Sequence, residues 1–223
     1  MLRRYLDPMM QRRFCQLWNR TVAGSSDQDA GEVFHRVYSY YNSDERYYHS
    51  TDHIQFCLKQ FDLVSELLTA PDAVEMAIWF HDVIYERGAC DNEIQSAQFF
   101  KDYVAEKLNP ELADQIYNLI LDTTHKHTPP TLDGQYLADI DLSSMALPWQ
   151  EFLRDSTNVR AECSHLCDNE FYPKQLAFLE SLLQRERFFF TDFFQQRFGD
   201  QAQDNLQRLI KQLNQQGFHS CKK

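Results

Sequence analysis

The sequence predicts an all-α fold, and three observations carry that prediction. Apolar residues recur at steps of three and four over long stretches, the period of an amphipathic helix. No stretch of useful length alternates with the period of two that a half-buried strand requires. Six Gly and seven Pro in 223 residues leave few obligatory turns, as a chain made mostly of helices would have.

Each element follows from local signals. Pro8 to Val22 reads as a first helix with Met9, Phe14, Leu17 and Trp18 roughly on one face. GSSDQDAG, from Gly24 to Gly31, reads as a linker with capping residues, and Glu32 to Tyr41 as a second helix carrying Val33, Phe34, Val37 and Tyr38. A polar turn, NSDERYYHSTDHI, then enters a third helix on which Ile54, Cys57, Leu58, Phe61, Val64 and Leu68 form the apolar stripe. Pro71-Asp72 suits the first turn of the next helix, which runs into the doublet His81-Asp82. After a loop from Glu86 to Cys90, Asp91-Asn92-Glu93 opens a helix expected to reach Lys107. Pro110 starts another, stopped by Pro129-Pro130. Residues 131 to 148 hold a short helix or turn, and three or four helices rich in Phe and Gln follow from Trp149 to a polar tail.

Length and composition bound the function. The chain suffices for one domain with a substantial core, 43% apolar and 14% aromatic. A formal net charge of −11 makes nucleic-acid polymers and anionic membranes poor partners, although a bound metal would reverse the potential locally for a small phosphorylated molecule. No 18-residue apolar run spans a membrane, and the basic N-terminus lacks the apolar core of a secretion signal. Six scattered cysteines fit a cytoplasmic chain with reduced thiols.

The chemistry-bearing groups are His49 and His53, His81 and Asp82, His125 and His127, and Asp139 and Asp141. The segment AVEMAIWFHDVIY, residues 73 to 85, is an apolar helix ending in an imidazole beside a carboxylate. Burying both is costly without a partner, and a divalent metal suits both. His49 and His53 are spaced i, i+4, one face of a helix start. Asp139 and Asp141 sit in LADIDLSSMAL, an apolar setting unusual for carboxylates. Imidazole and carboxylate without thiolate favour a divalent ion such as Mn, Ni, Mg, Fe or catalytic Zn over a structural zinc. CSHLC, Cys163 to Cys167, lacks a second Cys/His pair at zinc-finger distance and reads as ordinary residues, one turn apart on a helix. Phe188 to Phe190 with Phe193 and Phe194 read as core; any exposed part would suggest a homodimer contact.

The order His53, His81-Asp82, Asp141 resembles the HD superfamily of metal-dependent phosphohydrolases. ERYYHSTDHI, AIWFHDVIYE, DNEIQSA and LADIDLS resemble more narrowly its bacterial subfamily of predicted metal-dependent HD phosphohydrolases, over about Leu17 to Asn205. The resemblance implies a single HD-type helical domain over 1–223. Its metal-site core would span about 42–150, with additional N-terminal helices and a C-terminal helical extension at 151–216.

It also implies roles. His53, His81, Asp82 and Asp141 would hold one metal, with His49 behind the ligands or on the substrate and Asp139 hydrogen-bonded nearby or facing a second metal. His125 lies where two-metal members place extra histidines, which leaves a second metal at Asp82 and His125 open; His127 reads as a solvent-facing loop residue. Asp82 or Glu93 would take the proton from a metal-activated water, while Arg46, His49 or Lys126 would hold phosphate oxygens. The implied function is hydrolysis of a small phosphorylated substrate, a nucleotide by preference. The alternatives are an HD-type di-iron oxygenase and a non-catalytic metal- or nucleotide-binding module.

Overall fold

The computed structural model describes residues 7–220. Over them the chain forms ten α-helices and three short 3₁₀ turns, with no strand. No helix among the described residues is long and apolar enough to cross a membrane. The chain divides into two compact units between Ala138 and Asp139. That boundary lies inside a helix, upstream of residue 151, where the sequence places the start of the extension.

In the first unit α1 spans Pro8–Thr21, capped by the Asp7 carboxylate. It buries Met10, Phe14, Leu17 and Trp18, and Met9, expected on that face, is exposed in place of its neighbour Met10. Helix α2, Asp27–Tyr41, begins more than a turn before Glu32. Ser26 and Asp29 form a reciprocal capping box there, so most of the expected linker is helix. Helix α3 covers Thr51–Val64 and α4 covers Pro71–Phe80. Every residue of α4 from Ala73 to Phe80 is buried, which marks it as the central helix of the unit. It packs on α1 and α3, on α5 (Asn92–Tyr103) and on α6 (Pro110–Asp122). Phe14 meets Trp79 edge-on at 5.3 Å between ring centroids, and Phe80 meets Phe100 likewise at 5.3 Å. Helix α5 stops at Tyr103 rather than Lys107, because Val104 leaves helical geometry and a separate 3₁₀ turn follows.

Helix α7, Leu132–Leu142, carries the boundary between the units. The Asp133 carboxylate accepts the backbone N–H groups of Thr69 and Ala70, both at 2.8 Å, tying the start of α7 to the start of α4. Gly134 is a close-packing residue. A Cβ there would overlap Asp122 Oδ2 and meet Pro129 Cβ at 3.0 Å.

The second unit continues with α8 (Trp149–Glu162), α9 (Asp168–Leu183) and α10 (Asp192–Gln215). Asn205 on α10 donates to the carbonyls of Met145 and Leu147, both at 2.8 Å, fixing that helix on the turn after α7. Phe188, Phe189 and Phe194 are fully buried core residues. The CSHLC segment is the turn between α8 and α9, not a helix turn, and the Arg160 guanidinium holds it through Cys163 O, Leu166 O and Asp168.

Candidate metal centre

The doublet follows the last turn of α4. His81 still closes it, donating its N–H to Ala77 O at 2.9 Å. Leaving the helix at this point frees Asp82 from helical geometry, so the adjacent side chains need not diverge by the ~100° of consecutive helical residues. His53 is the third residue of α3, whose first turn is capped by Ser50. Asp141 is the penultimate residue of α7.

These placements gather four side chains. One ligand atom from each of His53, His81, Asp82 and Asp141 lies within 4.8 Å of all the others. His53 Nε2 is 3.2 Å from His81 Nε2 and 3.6 Å from Asp82 Oδ2, and His81 Nε2 is 3.1 Å from Asp82 Oδ2. Around a cation with bonds of about 2.1 Å, neighbouring ligand atoms stand about 3.0–3.4 Å apart. His53 is 5% exposed, His81 1% and Asp82 7%, while Asp141 is half-buried, a mostly closed group with one more accessible side.

The donor set itself fits a cation. His81 Nδ1 lies 2.9 Å from Ile78 O, so that nitrogen donates to the carbonyl and Nε2 is the ring nitrogen turned to the group. Two imidazoles and two carboxylates are donor types that divalent cations take.

The surroundings hold the doublet by its backbone. Tyr41, fully buried, accepts the Asp82 N–H at 3.2 Å and donates to Trp79 O at 3.1 Å. Burial raises the Tyr41 pKa well above the usual phenol value, and the negative charge of Asp82 adds to the rise, so the hydroxyl stays a donor. Ser96 Oγ bonds both the N–H and the carbonyl of Ile84, and the Asn92 amide does the same for Glu86. DNEIQSA thus stitches α5 to the loop behind the doublet.

The other expected site residues are placed as follows. His49 lies before α3 rather than in its first turn, so it does not share a helix face with His53; its ring stacks on Tyr85 at 4.1 Å. Arg46 is 7% exposed and directs Nη1 to Asp82 O (2.6 Å) and His49 O (3.2 Å), and Nη2 to Val83 O (2.8 Å). That is a structural engagement, where sequence reading expected phosphate contacts. Glu93 occupies the first turn of α5, half-buried. Lys126 is exposed and donates to Cys90 O at 3.3 Å, and His127 is exposed. The four-residue group does not include His125, which adopts the left-handed backbone region (φ 55°), rare for a non-glycine. Asp139 is 1% exposed and accepts Phe190 N–H (2.8 Å), Thr191 N–H (2.7 Å) and Thr191 Oγ1–H (2.7 Å).

Sequence reading missed Tyr41, which looks like any buried helix aromatic, and Cys57. The Cys57 sulfur is 3.6 Å from His53 Nε2 and 3.9 Å from Nδ1, nearly equal distances that put it beside the ring rather than along the Nε2 lone pair. No family model, curated protein or solved structure matches the chain.

Proposed function

We propose that the chain is a metal-dependent phosphohydrolase acting on a small phosphorylated substrate, a nucleotide being the favoured class. The observation that carries this reading is the gathering of His53, His81, Asp82 and Asp141, spread over the sequence, into one mostly buried group with its ligand atoms within 4.8 Å. A divalent cation bound there would supply Lewis acidity and lower the pKa of a coordinated water toward neutrality.

The chain's own residues have complementary tasks. His81 presents Nε2 because Ile78 O holds its other nitrogen, and Tyr41 fixes the Asp82 backbone so that its carboxylate stays aimed at the group. Asp82, or Glu93 in the first turn of α5, is the proposed proton acceptor. His49 and Lys126 are the proposed contacts for phosphate oxygens, as charge-assisted donors. The acidic surface disfavours polymeric nucleic acid and leaves a small anion drawn to the cation as the matching substrate.

The test is a screen of phosphorylated metabolites with Mn²⁺, Ni²⁺, Mg²⁺, Fe²⁺ and Zn²⁺, with His81→Ala as control. Phosphate release should need the metal and vanish in the variant while the variant keeps its helical circular dichroism. Full activity in metal-free protein refutes the proposal.

A further inference from the structure

We infer that Arg46 is a positioning residue of the metal centre, joining the turn that delivers His53 to the backbone of the His81-Asp82 doublet, and not a contact for substrate phosphate. The inference rests on the metal-site reading above.

Its basis is the way the guanidinium is used. Helix α4 ends at Phe80, and the backbone carbonyls that follow it, outside the intrahelical ladder, lie next to the negative end of the helix dipole. Arg46 takes up two of them, Asp82 O at 2.6 Å and Val83 O at 2.8 Å. The same Nη1 also holds His49 O at 3.2 Å, one residue before the Ser50 cap of α3. One planar fork therefore spans two ligand-bearing segments that are far apart in sequence. Its carbon centre lies 5.1 Å from the Tyr41 ring centroid and 5.7 Å from that of Tyr85, so the fork is held between aromatic rings. Tyr41 also accepts the Asp82 N–H. With the N–H and the carbonyl of Asp82 both bound, its carboxylate has little freedom to leave the group. A lysine ammonium is a single point charge and cannot reproduce a fork that reaches three carbonyls.

The experiment loads the full chain with Co²⁺ and follows affinity by titration and ligand geometry by the visible d–d bands. Arg46→Lys and Tyr41→Phe are the variants, and Arg13→Lys, whose arginine bridges Asp62 and Glu75 elsewhere, is the stability control. Arg46→Lys should bind Co²⁺ 10- to 100-fold more weakly with altered bands, the range seen when groups behind metal ligands are removed. Tyr41→Phe should shift both in the same direction by less. Arg13→Lys should lower Tm and leave the bands unchanged. If the unsubstituted chain takes up no Co²⁺, the metal-site reading itself fails and this inference falls with it. If it binds Co²⁺ and both variants match its affinity and bands, Arg46 is a structural residue only and the inference alone is overturned. Should Arg46→Lys not fold, Tyr41→Phe decides by the same two readouts.

Discussion

Asp139 and Asp82 are both buried carboxylates, and the molecule houses them in opposite ways. Asp139 receives two backbone N–H groups and a hydroxyl from the Phe190–Thr191 turn, so its burial is offset by donors the protein supplies. Glu75 on α4 belongs with it: Arg13 donates to it at 2.7 Å while also binding Asp62. Burial pulls the Arg13 pKa down, but its hydrogen bonds to Asp62 and Glu75 outweigh that and the net shift is upward. Asp82 is grouped instead with two imidazoles and a second carboxylate. The first arrangement stabilises the fold by itself. The second brings together the donor types that would hold the proposed cation.

The largest effect that tests this contrast is expected at Asp139. Asp139→Ala removes the acceptor for three donors, two of them buried, and should cost about 3 kcal/mol or more, measured by urea denaturation, whether or not metal is present. A loss that disappears on adding metal would place Asp139 with the second class.

Next comes the metal itself. A divalent cation at about 100 times its Kd should stabilise the folded chain by about 2.7 kcal/mol, raising Tm by roughly 5–10 °C. EDTA should reverse the rise and His81→Ala should abolish it. An equal rise in the His81→Ala protein would move the binding site elsewhere.

A paired comparison sharpens the point at the same scale. Glu75→Gln should lose about 2 kcal/mol in metal-free and metal-loaded protein alike, since it strands part of the Arg13 charge. Asp82→Asn should leave the metal-free chain as stable or slightly more so, because it relieves crowding of acceptors, yet remove the stabilisation by metal. Denaturant titrations of both variants with and without metal check this. If Asp82→Asn destabilises the metal-free protein as much as Glu75→Gln does, the distinction between the two regions collapses.

The smallest effect concerns Asp122, whose carboxyl lies against Gly134 and is raised by burial to a pKa of about 6. An unfolded aspartate titrates near ~3.9. The folded state therefore holds this proton more tightly, and the associated stability is present below about pH 4 and lost as pH rises through about 6. The side chain is only half-buried, so solvent screening reduces the difference to about 1 kcal/mol. Asp122→Asn should match the unsubstituted chain at pH 4 and exceed it by about that amount at pH 8. A variant less stable at pH 8 would show that the carboxylate makes a favourable contact there.

Much of this was legible in the sequence. The 3.6-residue periodicity, Pro8, Pro71 and Pro110 at helix starts and the absence of period-two runs fixed the all-helical class, because these signals act within a few residues. Residue character alone marked His49, His53, His81, Asp82, His125, His127, Asp139 and Asp141 without choosing among them, and the choice of the four came from the family resemblance. Less legible were the features in which two signals compete. Gly31 looked like part of a linker, yet the Ser26–Asp29 capping box carries the helix through it. Met9 and Met10 are indistinguishable by composition, and one position of helical phase decides which is buried.

The sequence by itself determined which residues form helices and which polar groups sit where burial would be costly, because propensity, capping and apolar periodicity are local properties. Only the tertiary structure decided what each polar group does. Asp139 and Asp141 differ by two positions in one apolar motif, and Arg46 stands in a polar turn where it could as well have faced a phosphate. Their roles follow from which donors and carbonyls distant segments bring within about 3 Å, the range over which hydrogen bonds act. That is set by how the helices pack, and no window of the sequence contains it.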